Sequence, residues 1–208
     1  MERATPPAAA RRIAILAPMP TELRPLIAPL GLGPSRRGGP GLLRGTAARV
    51  EVVASLTGIG MRAGAQAAAR ILEEASPDHL VVVGIAGGIG ASVAVGDLIV
   101  PDRVLNLDTG ETFRPTPLGG RPARGTLASS DALLTAAEEA ERLERRGVVA
   151  IDMETAAIAA VCHARGCAWS VFRAISDRAG DGVDADVLGL VDADGHPKLT
   201  ALARFVLK

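Results

Sequence analysis

The chain is poor in aromatic side chains, which make up 2% of its 208 residues and include no tyrosine. Its core must therefore be built from alanine, valine, leucine and isoleucine. Proteins that bind single-stranded nucleic acid without sequence preference stack the bases on aromatic side chains, and this chain has few of them. The composition therefore argues against a nucleic-acid partner.

An excess of either charge is also lacking, since 23 basic side chains balance 23 acidic ones and the pI is near 6.8. A phosphate backbone is held by a cationic surface, so the charge balance again predicts no nucleic-acid binding. With 48% hydrophobic residues, the length suits one globular domain over residues 1–208. We expect residues 1–12, which contain Pro6 and Pro7, to be flexible.

Cysteine is scarce, and Cys162 and Cys167 form neither a disulfide framework nor a pair of metal-ligand motifs. We therefore expect no metal and a reducing, cytoplasmic location. The apolar stretch 13–19 is too short to cross a bilayer, so we expect no transmembrane segment.

Short apolar runs alternate with stretches of helical period. The predicted strands are residues 13–17, 42–44, 48–56, 79–83, 95–104, 148–151 and 167–174, and the predicted helices are 61–74, 131–146 and 153–165. We expect a long loop over 106–125 and a glycine-rich turn over 84–90. This alternation predicts a three-layer α/β domain with a mainly parallel sheet, in which ligands bind beyond the carboxyl ends of the strands.

A glycine-rich turn at 57–64 follows a predicted strand and opens a predicted helix, as a dinucleotide-binding fingerprint does. The fingerprint also requires an acidic residue after the next strand, where this chain has the glycine-rich segment 84–87. A nicotinamide-dependent oxidoreductase is therefore disfavoured. Two interpretations remain: a helix N-terminus whose backbone donors hold an anion or a ribose oxygen, or glycines that only allow close packing.

Charged residues interrupt two apolar segments, with Glu154 in the first and Arg173 and Asp177 in the second. Burying such groups is costly unless they are paired or belong to a functional site. The structural alternative is an ion pair of Arg173 with Glu154 or Asp177. Because Glu22 also follows a predicted strand, we expect three carboxylates, those of Glu22, Glu154 and Asp177, in one crevice.

Six segments resemble, in the same order, the purine nucleoside phosphorylase and methylthioadenosine/S-adenosylhomocysteine nucleosidase superfamily. They are residues 13–22, 57–60, 84–88, 95–97, 150–157 and 172–177. The resemblance implies a three-layer α/β/α nucleoside phosphorylase fold with a central twisted mixed sheet. It also implies cleavage of the N-glycosidic bond of a purine nucleoside, no cofactor, and a homodimer or higher homo-oligomer.

The resemblance assigns catalytic roles to three residues. Asp177 matches the acid that protonates the purine at N7, which requires burial to raise its pKa above the usual value for aspartate. Glu22 matches the residue that orients attacking water, and Arg173 an anchor on the nucleophile side. Whether water or inorganic phosphate attacks stays open, so the enzyme is predicted as a hydrolase or a transferase. The residues expected on that side are Gly58, Gly60 and Arg62.

The substrate pocket follows from the same resemblance. Glu154 matches the carboxylate that binds ribose hydroxyls, and Met153 the side chain beneath the sugar. The other residues expected to line the pocket are Met19, Ile85, Ala86, Gly87, Leu133, Leu134 and Asp152.

The sequence departs from the nucleosidases at three places. Ile85 stands where they have serine, Leu133 stands where an aromatic stacks on the base, and the region 106–127 is reduced to a glycine- and proline-rich loop. We therefore expect reshaped pockets for the base and the 5′ group. A catalytically degenerate protein that only binds nucleosides is the alternative these departures raise.

Residues 108–111, 131–146 and 192–198 resemble the hopanoid-associated phosphorylase subgroup. That resemblance implies adenosylhopane as substrate and adenine as leaving group. A lipid substrate would require an open apolar mouth and brief contact with a membrane surface.

Overall fold

The computed structural model describes residues 12–35, 39, 41–132, 134 and 136–178. Eleven strands form one sheet: β1 Arg12–Ala17, β2 Gly33–Pro34, β3 Leu43–Ala47, β4 Val50–Leu56, β5 His79–Gly88, β6 Leu98–Ile99, β7 Arg103–Asn106, β8 Thr112–Phe113, β9 Thr126–Ser129, β10 Val148–Asp152 and β11 Ala168–Arg178. Four helices flank it: α1 Pro20–Ile27, α2 Met61–Ala75, α3 Ala137–Arg145 and α4 Thr155–Arg165.

The strand order is β2-β3-β4-β1-β5-β10-β9-β7-β8, and β11 pairs with both β5 and β6. Neighbouring strands are parallel in the group β4, β1, β5 and β11, whereas β10 pairs antiparallel to β5. The two ends of the order, β2-β3-β4 and β7-β8, are also antiparallel. The sheet is therefore mixed, as the resemblance implies. Most of its paired residues belong to the parallel pairings β1-β4, β1-β5, β5-β11, β9-β10 and β7-β9, as expected.

Helices cover both faces of the sheet. On one face α2 and α4 pack against strand residues such as Leu16 and Val82 in the largest buried cluster. On the other face α1 contributes Leu23 to a second cluster and α3 contributes Leu143 to a third. Alanines on α2 and α4 let these helices approach closely, and a Cβ on Gly64 of α2 would lie 3.1 Å from Glu154 Cβ. The predicted three-layer α/β/α architecture is confirmed.

Several boundaries differ from the prediction. The glycine-rich turn expected at 84–90 is largely strand, because β5 continues to Gly88 and pairs with β11 along its length. The strand expected at 95–104 is divided into β6 and β7, and helix 131–146 is reduced to α3. The loop expected at 106–125 contains the short strand β8. The irregular segment expected from residue 176 begins later, since β11 extends to Arg178.

The strands predicted at 42–44 and 48–56 are present as β3 and β4, but the turn between them lies at Ala48 and Arg49, inside the second predicted strand. Both turn residues have positive φ, 47° and 69°, as tight hairpin turns require. Gly45 lies inside β3, where a Cβ would come within 2.2 Å of the Leu30 carbonyl oxygen. Gly45 is thus required for close approach to Leu30, although the predicted strand ends one residue before it.

The flexible N-terminus was expected to include Arg12, which instead starts β1 and pairs with Glu51 at 2.7 Å. Residues 1–11 lie outside the described residues. Within the described part of the chain, none of the helices is long and apolar enough to cross a membrane.

Candidate active site

Arg173 is the centre of the site. It lies on β11, is fully buried, and is surrounded by three carboxylates. Its Nη2 is 2.7 Å from Asp152 Oδ2 and 3.4 Å from Glu154 Oε2, while its Nη1 is 4.0 Å from Glu22 Oε1. The expected Arg173–Glu154 ion pair is present, but as one part of a larger cluster. No ion pair joins Arg173 to Asp177 among the described residues.

Glu22 reaches this cluster from the first turn of α1. One carboxylate oxygen accepts a hydrogen bond from the backbone N–H of Met19 at 2.7 Å, which caps the helix. The other oxygen accepts from the N–H of Ile85 at 2.8 Å. Burial raises the pKa of Glu22 above the usual value for glutamate, although these donors and Arg173 act to lower it. The carboxylate of Glu22 is therefore a stronger base than an exposed one.

Glu154 precedes α4 and faces Glu22 across the guanidinium of Arg173. Its Oε1 accepts a hydrogen bond from the N–H of Gly60 at 3.0 Å, and its Oε2 faces Arg173. Burial raises the pKa of Glu154 to about 7, against the opposing effect of the Arg173 charge. Met153, beside it in sequence, is half-buried.

Asp152 has a different role from the predicted contact with substrate. Its side chain is 1% exposed, and both oxygens are already bound by protein donors. Oδ1 accepts from the Ser129 hydroxyl at 2.6 Å and the Thr155 N–H at 3.2 Å, and Oδ2 binds Arg173 and the Thr155 hydroxyl. Asp152 therefore positions Arg173 and the start of α4, and has no oxygen left for a ligand.

Sequence reasoning missed Ser129 and Thr155 as parts of this network. Both are fully buried, and Ser129 Oγ also accepts the N–H of Ala156 at 3.0 Å. Ser129 lies opposite Asp152 because β9 pairs with β10. That pairing, which the sequence does not reveal, was the information needed to find Ser129.

Gly84 explains how Arg173 and Glu22 approach each other. A Cβ at this position would lie 2.2 Å from Arg173 Nη1 and 2.5 Å from Glu22 Oε1. Only glycine leaves room for both side chains at the place where they meet. Its neighbours 85–87 were predicted to line the pocket, but Gly84 was not.

The start of α2 does not present the free backbone donors that were expected there. The N–H of Gly60 donates to Glu154, and the N–H of Met61 donates to Asp131 Oδ1 at 2.6 Å. Arg62 is exposed and makes no ion pair with another described residue. Gly58 donates its N–H to the Pro18 carbonyl at 3.2 Å. Carboxylates of the chain itself thus accept hydrogen bonds from the N–H groups of Gly60 and Met61, which were expected to bind an anion. The part played by Asp131 was not predicted.

Asp177 lies four residues beyond Arg173 on β11, opposite Gly87. It is half-buried, and one carboxylate oxygen accepts the Ser176 hydroxyl at 2.5 Å. Four residues of strand span about 13 Å, so Asp177 is at the same end of the sheet as the Arg173 cluster but outside its direct contacts.

The remaining predicted pocket residues differ in what they offer a ligand. The side chain of Ala86 belongs to the core, which leaves only its backbone for contact. Ile85 is 42% exposed, whereas Leu134 packs into the cluster around Leu143. Leu133 lies outside the described residues.

The mixed sheet with helices on both faces agrees with the fold implied by the sequence. The chain belongs to the Phosphorylase superfamily, whose family model matches residues 12–140 and 116–208. Among its relatives is the 5′-methylthioadenosine/S-adenosylhomocysteine nucleosidase of Chromohalobacter salexigens, which is 30% identical over 213 residues, covering 88% of this chain and 91% of the relative.

Solved structures give the same result for the fold. The S. pneumoniae nucleosidase with a transition-state inhibitor has a TM-score of 0.74 at 25% identity, covering 94% of this chain and 98% of that one. The Colwellia psychrerythraea nucleosidase in complex with adenine has a TM-score of 0.75 at 24% identity, covering 85% and 86%. The predicted nucleoside phosphorylase fold is confirmed.

Proposed function

We propose that this chain hydrolyses the N-glycosidic bond of a purine nucleoside and releases adenine. The observation that carries the proposal is the buried carboxylate of Glu22, held 4.0 Å from the guanidinium of Arg173 and given a raised pKa by burial. Such a group can accept a proton from water at neutral pH. The nucleosidase names of the relatives support this class of reaction.

The cluster suits the charge that develops during cleavage. When the base leaves with the bonding electrons, the sugar acquires oxocarbenium character. Three carboxylates around one guanidinium leave an excess of negative charge to stabilise that cation. Glu154 Oε2 lies 3.4 Å from Arg173 Nη2, which is a long contact, so this oxygen can also accept a hydrogen bond from a ribose hydroxyl. Asp177, on the same strand and partly exposed, is the proposed donor to the purine.

The same charge balance favours water over phosphate as the nucleophile. A phosphate dianion would meet the carboxylates of Glu22 and Glu154, and the first N–H groups of α2 are already occupied by Glu154 and Asp131. Arg62, the expected clamp, is exposed and makes no ion pair with another described residue. Neutral water carries no such repulsion.

The nucleophile is tested by following adenine release from 5′-modified adenosines in water enriched in heavy oxygen. We expect release without added phosphate, with one heavy oxygen in the free sugar. A requirement for phosphate with formation of the sugar 1-phosphate would overturn the choice of water. Tight adenine binding without release from any substrate would indicate a nucleoside-binding protein, and a nicotinamide-dependent absorbance change would indicate an oxidoreductase.

We further propose that the 5′ substituent is large and apolar, as in adenosylhopane. Ile85 and Leu98 are 42% and 43% exposed, and both are paired with Ala174, so the three side chains lie side by side on one face of the sheet. The N–H of Ile85 binds Glu22, which connects this apolar strip to the site. An alkyl chain laid on the strip would remove apolar surface from water.

This substrate preference has its own test. We expect kcat/KM for an adenosine with a long 5′-alkyl chain to exceed that for 5′-methylthioadenosine about tenfold, as one or two buried methylene groups allow. Ile85→Ser should reduce the preference while preserving hydrolysis of methylthioadenosine. Equal kcat/KM values for both substrates would exclude the apolar strip as a determinant of the preference for the 5′ substituent. They would not affect the proposed hydrolysis. The homo-oligomer, the membrane contact and the cytoplasmic location remain predictions.

A further inference from the structure

The two cysteines occupy the ends of one backbone motif at the C-terminus of α4. The N–H of Cys167 donates to the carbonyl of Cys162 at 3.0 Å, and the N–H of Gly166 donates to that of His163 at 3.2 Å. Gly166 has the left-handed conformation, with φ of 64°. This is a Schellman motif, in which the side chains of the first and sixth residues come into contact. In this chain both of those residues are cysteine.

The two cysteines are free thiols that differ in their surroundings. Cys162 is fully buried in the largest core cluster, and Cys167 packs against that cluster while remaining partly exposed. The hydrogen bond between the thiols lowers the pKa of Cys167 and raises that of Cys162. Cys167 Sγ also lies 3.3 Å from the Ala168 carbonyl oxygen. Cys167 is therefore the accessible nucleophile, and Cys162 is the thiol beside it.

We propose that Cys162 and Cys167 form a dithiol site that reacts with small disulfides such as oxidised glutathione and closes to an intramolecular disulfide. In the first step the Cys167 thiolate attacks one sulfur of the small disulfide, whose S–S bond breaks to release one thiolate. Cys162 then loses its proton to that thiolate and attacks Cys167 Sγ, which expels the second thiol. The protein dithiol is oxidised by two electrons, and the small disulfide is reduced to two thiols.

The location makes this site separate from the nucleoside site. Glu154 precedes α4, and the cysteines are at the opposite end of that helix, about eight residues or 12 Å along its axis. The proposal therefore does not depend on the proposed hydrolysis. The disulfide would join the end of α4 to the residue just before β11, which are the elements that hold Glu154 and Arg173.

The test uses the reduced full-length chain, incubated with oxidised glutathione at mild alkaline pH and analysed by intact mass spectrometry. We expect the mass to fall by two hydrogen atoms, with no bound glutathione and no covalent dimer. Because the chain has 2 cysteines, no free thiol should then remain after denaturation. Two glutathione adducts, a covalent dimer or two unreacted thiols would each overturn the proposal.

Two variants test the order of the steps. Cys162→Ala should accumulate one stable glutathione adduct at Cys167, because the second thiol is missing. Cys167→Ala should react about tenfold or more slowly, because Cys162 is fully buried and shielded from the small disulfide. Equal rates for the two folded variants would contradict the assigned roles. If either variant fails to fold, the mass of the oxidised wild-type chain still decides whether the disulfide forms.

Discussion

Several charged side chains of the site are buried, and the burial of charge opposes folding. Glu154 is 4% exposed, and its pKa is raised from an ordinary value near 4.5 to about 7. A carboxyl with a raised pKa in the folded state binds its proton more tightly there than in the unfolded chain. Its contribution to stability is therefore fully present below pH 4.5 and is lost as the pH rises through about 7.

Glu154→Gln separates this cost from function. We expect the variant to melt at the same temperature as the wild type near pH 5, and at a higher temperature at pH 8, with a gain of about 1–3 kcal/mol. Hydrolysis should fall about 10- to 100-fold, because the variant lacks the charged group proposed to accept the ribose hydroxyls. Calorimetry at both pH values checks the first expectation. If the variant instead melts below the wild type at pH 8, the ion pair of Glu154 with Arg173 stabilises the fold by more than the burial of its charge destabilises it.

Gly84 offers a residue-scale test of the geometry. Gly84→Ala places a methyl group 2.2 Å from Arg173 Nη1, so Arg173 and Glu22 must separate. We expect kcat to fall about 100-fold, since misplacing a catalytic group by about 1 Å has such an effect. Gly33→Ala is the matched control, because a Cβ there has no neighbour within 4 Å. Comparable kcat values for the two variants would mean that the Arg173–Glu22 contact is dispensable.

At the scale of elements, strand β11 connects the site with a buried histidine. His79 Nε2 lies 2.7 Å from Ser170 Oγ, and the Ser170 hydroxyl donates to the Thr116 carbonyl at 2.6 Å. Because Ser170 uses its proton on Thr116, it accepts the Nε2–H of His79. The network ties the loop after β8 to β5 and β11. A partner for His79 cannot be found from the sequence alone, because the pairing of β5 with β11 brings Ser170 beside it.

This network predicts a pH dependence opposite in sign to that of Glu154. Burial lowers the pKa of His79 below its ordinary value of 6.5, so the unfolded chain takes up the proton first. The stability due to neutral His79 is therefore present above pH 6.5 and is lost as the pH falls towards the lowered pKa. As the pH falls below 6.5, the melting temperature of His79→Gln should therefore decrease less than that of the wild type. His163→Gln, at an exposed histidine, should retain it, and identical pH profiles for the two variants would refute the assignment.

Elements were predictable from sequence where local pattern decides them. Helix α2 was expected at 61–74 and is Met61–Ala75, because alanine content and apolar spacing agree over its whole length. Strand β5 was cut short at Gly84, since glycine was interpreted as a turn when its purpose is to admit Arg173. Glycine required by tertiary contact cannot be distinguished from glycine required by backbone conformation in a single sequence.

At the scale of the whole molecule, the fold collects residues far apart along the chain. Glu22, Glu154 and Arg173 come from α1, the start of α4 and β11, and they meet because these elements adjoin neighbouring strands β1, β10 and β5. The convergence of Glu22 and Glu154 was predicted from their positions after apolar runs. The third carboxylate expected with them, that of Asp177, lies outside the direct contacts of the cluster, and Asp152 takes that place beside Arg173. The hydrogen bonds from the start of α2 to Glu154 and Asp131 were not predicted, because they depend on side-chain orientation.

The most direct measurement of the central claim is adenine release by wild type and Glu22→Gln in phosphate-free buffer. The wild type should release adenine, and the variant should be about 100- to 10,000-fold slower because it lacks the carboxylate that accepts the proton of water. Adenine binding by the variant should be retained, since Glu22 is proposed to act on the water and not on the base. Equal rates of release by the two proteins would contradict the account.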